Sequence, residues 1–212
     1  MKTTILFYFL FVIHATVNAQ AITRANFRLP SNGNQLNSAE LLIGDTYFTI
    51  TGNGDLMAYN YIPGGNIEYY TRFDGEDKSG KIKSIGSAQI DYFTHFDGAY
   101  LAGKLKSIGI VNIDYYGIFD DSDKKGKLKS IGGNSIDYFT VFDGTENRGR
   151  LRSVGDWKLY YYGVFDSREL MGKIKSIGSI SIAYYTVFDI NNPVGQIKSL
   201  TGNTKDFYIT LQ

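Results

Sequence analysis

Two kinds of side chain recur in this sequence at a spacing that could support chemistry. Lys83, Lys106, Lys129, Arg152, Lys175 and Lys198 stand 23 residues apart, and Lys81, Lys104, Lys127, Arg150 and Lys173 precede five of them by two positions. Two positions apart on a strand is the same face, so both sets are expected to form one basic stripe. Such a stripe would dock an acidic polysaccharide or a lipid headgroup. The competing reading is a solvated face of gatekeeper lysines, neutralised by Asp91, Asp114, Asp137 and the aspartates of the repeated Phe-Asp pairs.

Aromatic residues keep the same interval. Tyr69, Tyr92, Tyr115, Tyr138, Tyr161 and Tyr184 are each followed by Tyr or Phe. Neighbours on a strand point to opposite faces, so one set is expected inside and the other outside. The first tyrosines are assigned to a thin core or a cross-strand ladder. The residues after them, Phe93, Tyr116, Phe139, Tyr162 and Tyr185, are the candidates to stack on the rings of a sugar polymer.

Catalysis has little to work with. There is no cysteine, which removes thiol nucleophiles and zinc–thiolate sites. Of two histidines, His14 lies in an expected export signal, and His95 fills a slot that holds Ile118, Val141, Val164 or Val187 in other copies. Carboxylate pairs are numerous because the repeat copies them, and none stands apart by environment as an acid/base pair would. The loop Asp121 to Gly126 resembles a calcium loop only faintly, since Lys124 and Lys125 sit inside it. The expectation is a non-enzymatic protein with no cofactor and no metal.

The elements that position these residues follow from the repeat itself. Gly80-Lys81-Ile82-Lys83-Ser84-Ile85-Gly86 returns at Gly103, Gly126, Gly149 and Gly172, and weakly at Gly195, each 23 residues after the last. A fixed period of this length means one supersecondary unit in tandem, each copy burying its neighbour's face. Each unit reads as two strands: Lys-Ile/Leu-Lys-Ser-Ile, then a segment such as Ile90 to Asp97, with Tyr92, Thr94 and Phe96 on one face. A glycine-led turn of two or three residues joins them. The fold class is all-β: antiparallel hairpin repeats forming a twisted or curved single sheet or partial barrel. The alternative is a β-solenoid, disfavoured because Asp97, Asp120, Asp143, Asp166 and Asp189 would then stack about 4.8 Å apart as like charges.

Residues 1–19 read as a bacterial-type export signal: Lys2, the apolar run Ile5 to Ile13, and cleavage after Ala19. The run is too short to span a bilayer. Losing Lys2 takes Lys plus Arg from 22 to 21, equal to Asp plus Glu at 21. A neutral chain has no global attraction to nucleic acid. The expected protein is secreted, periplasmic or at the cell surface, without an integral membrane segment once processed. Residues 20–56 are assigned to an N-terminal cap over the first edge strand. Residues 57–212 form the array, with units beginning at 57, 80, 103, 126, 149, 172 and 195. Met57 to Ile62 and Lys205 to Tyr208 are its diverged terminal strands.

Phe142 to Val154 carries Phe-Asp, five residues, then Gly-Arg-Leu-Arg-Ser-Val. This resembles the tyrosine–aspartate (YD) repeats of large bacterial surface and toxin proteins, over roughly residues 57 to 212. The unit length is also that of MORN repeats, whose internal glycine spacing is missing here. The resemblance implies a curved β scaffold outside the cell and no catalytic residues. The chain is short for the closed shell of that family. The expected partners are a polysaccharide or a cell-surface protein, met through the basic and aromatic rows.

Overall fold

A computed structural model describes residues 20–212; the expected export signal lies outside the described residues. Seventeen strands are present, and no α-helix occurs among the described residues. They are β1 (Ile22–Leu29), β2 (Ser38–Ile43), β3 (Thr46–Thr51), β4 (Leu56–Tyr61), β5 (Ile67–Tyr69), β6 (Ile82–Ile85), β7 (Ala88–Tyr92), β8 (Leu105–Ile108) and β9 (Val111–Tyr115). Then follow β10 (Leu128–Ile131), β11 (Asn134–Tyr138), β12 (Leu151–Val154), β13 (Trp157–Tyr161), β14 (Ile174–Ile177), β15 (Ile180–Tyr184), β16 (Ile197–Thr201) and β17 (Phe207–Leu211). Strands β5 to β16 form one twelve-stranded antiparallel meander in chain order. Its two ends do not meet, so the sheet is open rather than a barrel. Each repeat is a hairpin and not a solenoid coil, so equivalent aspartates are separated by an intervening strand.

Local sequence explains the hairpins. Ile85 pairs with Ala88, Ile108 with Val111, Val154 with Trp157 and Ile177 with Ile180, leaving two residues in each turn. Gly86 and its equivalents have φ between +52° and +59°. A glycine at positive φ followed by an ordinary residue is the type II′ turn, whose twist matches the strands it joins. Gly132 and Gly133 are both at positive φ, as a type I′ turn requires.

A bulge then recurs in every unit. Asp91 pairs with Ser107 but Tyr92 pairs with Leu105, so Lys106 is an extra residue on β8. The same offset separates β9 from β10, β11 from β12, β13 from β14 and β15 from β16. An extra residue shifts the alternation by one. Leu105 and Ile108 are therefore both buried although three positions apart, as are Leu128 and Ile131, Leu151 and Val154, and Ile174 and Ile177.

The second strand is shorter than its composition predicts. It ends at Tyr92, and His95–Asp97 is a 3₁₀ turn. Thr94 donates from its N–H and its hydroxyl to Asp97 Oδ2, at 2.9 and 3.0 Å. This is a capping box, with aspartate in the usual place of glutamate. Thr71–Asp74 and Thr140–Asp143 close in the same way. Phe96 consequently does not share the Tyr92 face. Gly117 and Gly163 take the cap position that threonine holds in the other units, and their N–H groups donate to Asp120 and Asp166.

The end segments depart further from expectation. Met57 to Ile62 is not an array strand: β4 hairpins back onto β3. Lys205 to Tyr208 does not finish the array either, because β17 pairs with β1, in parallel. Strands β17, β1, β2, β3 and β4 form a second, five-stranded sheet. It covers the inner face of the array rather than its edge. Phe27 meets Trp157 at 6.0 Å and Phe207 at 5.6 Å, both edge to face. Joining the second sheet buries Phe27, Leu29, Leu41, Ile43, Phe48 and Phe207 against the array's Ile and Leu pairs in one core. An isolated last hairpin would have left these side chains exposed to water.

Core and surface should respond differently to truncation. Ile136→Ala, in the core, is expected to cost about 2–5 kcal/mol. Phe119→Ala, at a solvent-exposed turn, should stay within about 0.5 kcal/mol. Urea denaturation of the two variants beside the unaltered protein checks both.

Candidate interaction surface

The expected single basic stripe is two rows with different surroundings. In the first, Lys81, Lys104, Lys127 and Arg150 donate to the carbonyl of the next unit's glycine, at 2.5 to 2.7 Å. Each also lies over its own unit's tyrosine, 4.0 to 5.1 Å from the ring centre. Lys173, next in the row, is buried and donates instead to Asn32 O and Asn34 Oδ1 of the covering sheet. Burial pushes the pKa values of Lys104, Lys127, Arg150 and Lys173 down. These cations fasten one unit to the next.

The second row faces solvent but is occupied. Lys106, Lys129, Arg152, Lys175 and Lys198 lie over Phe93, Tyr116, Phe139, Tyr162 and Tyr185, at 5.1 to 5.7 Å. Lys83 lies over Tyr70 in the same way. Lys83, Lys106, Lys129, Arg152 and Lys198 also reach Asp74, Asp97, Asp120, Asp143 and Asp189, at 2.5 to 3.9 Å. Exposed pairs of this kind add little stability individually, but they neutralise every cation of the row except Lys175.

The aromatic candidates beneath are half-buried. Phe93 meets Tyr115 edge to face at 6.0 Å, and Phe139 meets Tyr161 at 5.7 Å. The two aromatic sets are thus one continuous ladder, because the second ring of each unit rests on the first ring of the next. Tyr116 and Tyr162 fix the ladder by donating to the carbonyls of Ile136 and Ile182. Phe93, Tyr116, Phe139, Tyr162 and Tyr185 therefore sit under cations instead of offering open faces.

A different set of rings is open to solvent. Phe73, Phe96, Phe119, Phe142, Phe165 and Phe188 are 86% to 103% exposed, one in each of the first six units. Each occupies the 3₁₀ or bend segment just before the capping aspartate. Its backbone is held there: Phe73, Phe142 and Phe188 donate to the Thr hydroxyl two residues earlier, at 3.3 to 3.4 Å. Ile118, Val141, Val164 and Val187 beside them are also exposed. Single exposed apolar residues are ordinary; an ordered row of them is a candidate interaction surface. Equivalent residues two strands apart are about 9.5 Å from one another, so six rings run about 48 Å along one side of the sheet.

Adjacent loops brace this row. His95 donates from its backbone to Asp77 Oδ2 at 2.8 Å, with its Nδ1 at 2.7 Å from the same oxygen. Val141 N and Arg148 Nε donate to Asp123, which removes that carboxylate from the calcium-like loop. No group of three metal-ligating side chains occurs among the described residues. No helix among them is long and apolar enough to cross a membrane. The signal that could have located the row is Thr-x-x-Asp, which places the intervening phenylalanine on a capped turn rather than in a strand.

A cleft of about 780 Å³ opens between β4 and the first array strands, lined by Met57, Tyr59, Tyr61, Ile67, Ile82 and Lys104 among others. It exists because the five-stranded sheet is too narrow to cover that end of the array. Compared with known proteins, the chain matches no family model, no curated protein and no solved structure.

The site's titrations have definite signs. Hydrogen bonds from Thr94 and Thr140 hold Asp97 and Asp143 below the usual carboxylate range. Lys198, then Thr186, lowers Asp189 to about 2. A depressed folded value gives stabilisation that is full above about pH 4 and is lost as pH falls through the folded pKa. Protection of the Thr186 amide, which donates to Asp189, should therefore disappear at lower pH than unpaired aspartates would dictate. Hydrogen exchange against pH measures this. Burial raises Tyr116 and Tyr161 to about 12. Raised values give stabilisation present below about pH 10 and lost as pH climbs through 12. An ultraviolet titration should show these phenols ionising late, together with loss of the fold.

Proposed function

We propose that this chain is an exported, non-enzymatic β-repeat interaction module that works outside the cell or at its surface through the phenylalanine row. The observation that carries this reading is that all six rings are almost wholly exposed yet held on capped turns. A ring that buries nothing in its own fold contributes no core stability. A rigid backbone beneath it lowers the entropy lost when a partner covers it. The cations support the sheet in this reading, since each is committed to a neighbouring ring, carbonyl or carboxylate.

Cosedimentation with envelopes of the exporting cells tests the proposal. Residues 20–212 should pellet with envelopes, and F119A/F142A should remain largely in the supernatant with its melting temperature unchanged. Equal pelleting of the two proteins, or none by either, rejects the row as the working surface.

A further inference from the structure

We propose that the phenylalanine row binds a single extended chain of an uncharged β-1,4-linked polysaccharide. This deepens the interaction-module reading and rests on it.

The first argument is the repeat distance. At ordinary strand spacing, the turns that carry the rings in successive units repeat about every 9.5 Å along the sheet. In a β-1,4-linked chain alternate sugars are flipped, so the same ring face returns every second residue, at a step close to this one. One sugar in two can then stack on each phenylalanine in turn. An extended peptide strand does not fit, because its side chains alternate with period two at about 3.3 Å per residue. Three residues would be needed to cover each step, and successive third residues point to opposite sides.

Charge gives the second argument. The six loops (72–79, 95–102, 118–125, 141–148, 164–171 and 187–194) carry twelve carboxylates and six Lys or Arg. The six cations of the solvent-facing row lean on this edge and bring the positive total to twelve. Five of those six reach an aspartate directly. No net field is left to attract a polyanion, so an acidic polymer would have to break pairs that already exist.

Shape and chemistry supply the third. Phe142 and its equivalents stand at turn tips, 86% to 103% exposed, with no wall beside them to make a groove. A polyproline II ligand also repeats at about 9.3 Å, but it docks into grooves between aromatic residues. The apolar face of a sugar ring needs only a flat ring to cover it. Polar loop residues such as Ser122, Thr145, Ser167 and Asn191 lie within a few positions of the rings, where they can meet sugar hydroxyls. Phe73 and Phe96 are partly taken by their neighbours, Arg72 over the first ring and the His95 ring 3.9 Å from the second. The four rings from Phe119 to Phe188 are therefore the main platform.

Affinity electrophoresis of residues 20–212 in gels containing hydroxyethyl cellulose, glucomannan or xylan tests this. At least one of these polymers should retard the protein, and added salt should not abolish the effect. F119A/F142A should lose roughly tenfold in affinity, as expected when central contacts are removed. With soluble oligosaccharides, affinity should climb as the chain grows, in steps of two sugars. The proposal is overturned if none of these polymers retards the protein, if the double variant is retarded equally, or if a proline-rich peptide binds the row instead. Envelope binding that still depends on Phe119 and Phe142 would then leave the interaction module standing without its glycan. Loss of both would remove the two readings together.

Discussion

The register of the array rests on one backbone constraint, the glycine that opens each hairpin turn at positive φ. It closes the turn in two residues, which fixes Ile85 opposite Ala88 and every equivalent pair after it. Because a one-residue slip would reverse all the side chains, this decides which residues meet the covering sheet. The recurrent bulge then corrects the alternation once per unit. It brings the Leu/Ile pair inward together and leaves Lys106 and its equivalents outside. Without that extra residue, either Leu105 or Ile108 would face water.

Above this frame, cohesion between units comes from cations laid on aromatic rings. A lysine or arginine over a tyrosine gains from the ring's negative face, more so when water is partly excluded. Here the same group also caps a glycine carbonyl of the next unit, so one side chain serves two units. The chain has no cysteine, so contacts of this kind and the shared core hold the units together without disulfides. In the second row all the cations but Lys175 are also paired with an aspartate, so the regular set leaves little free charge along that edge.

Much of this was legible in the sequence. The period and the antiparallel hairpins follow from residue spacing, and the aspartates were visible as one of two readings of the basic stripe; spacing alone left a single sheet and a partial barrel equally open. The 3₁₀ turns were written there too, in Thr94 and Asp97, but Phe93 and Thr94 are good strand formers, and β preference concealed the cap. Reading the strand through to Asp97 placed Phe96 in the core and hid the exposed row. The second sheet was not legible at all. Its defining contact pairs β1 with β17, from Ala25 opposite Phe207 to Leu29 opposite Leu211, and no local pattern encodes a partner that distant. The split of the lysines into two rows likewise depends on the bulge, which strict alternation cannot foresee.

Among the contacts between the covering sheet and the array, two backbone contacts lie two units apart. Gly54 O accepts from Leu128 N and from the Tyr138 hydroxyl, while Gly33 O accepts from Ile174 N and its α-carbon lies against Tyr184. Near-identical tandem units invite recombination that adds or deletes 23 residues, and an open-ended array would absorb such a change with little penalty. This one is spanned by a strut of fixed length. A unit gained or lost between Leu128 and Ile174 would move one contact past its partner by two strands, so the copy number of the array is set by the sheet laid across it.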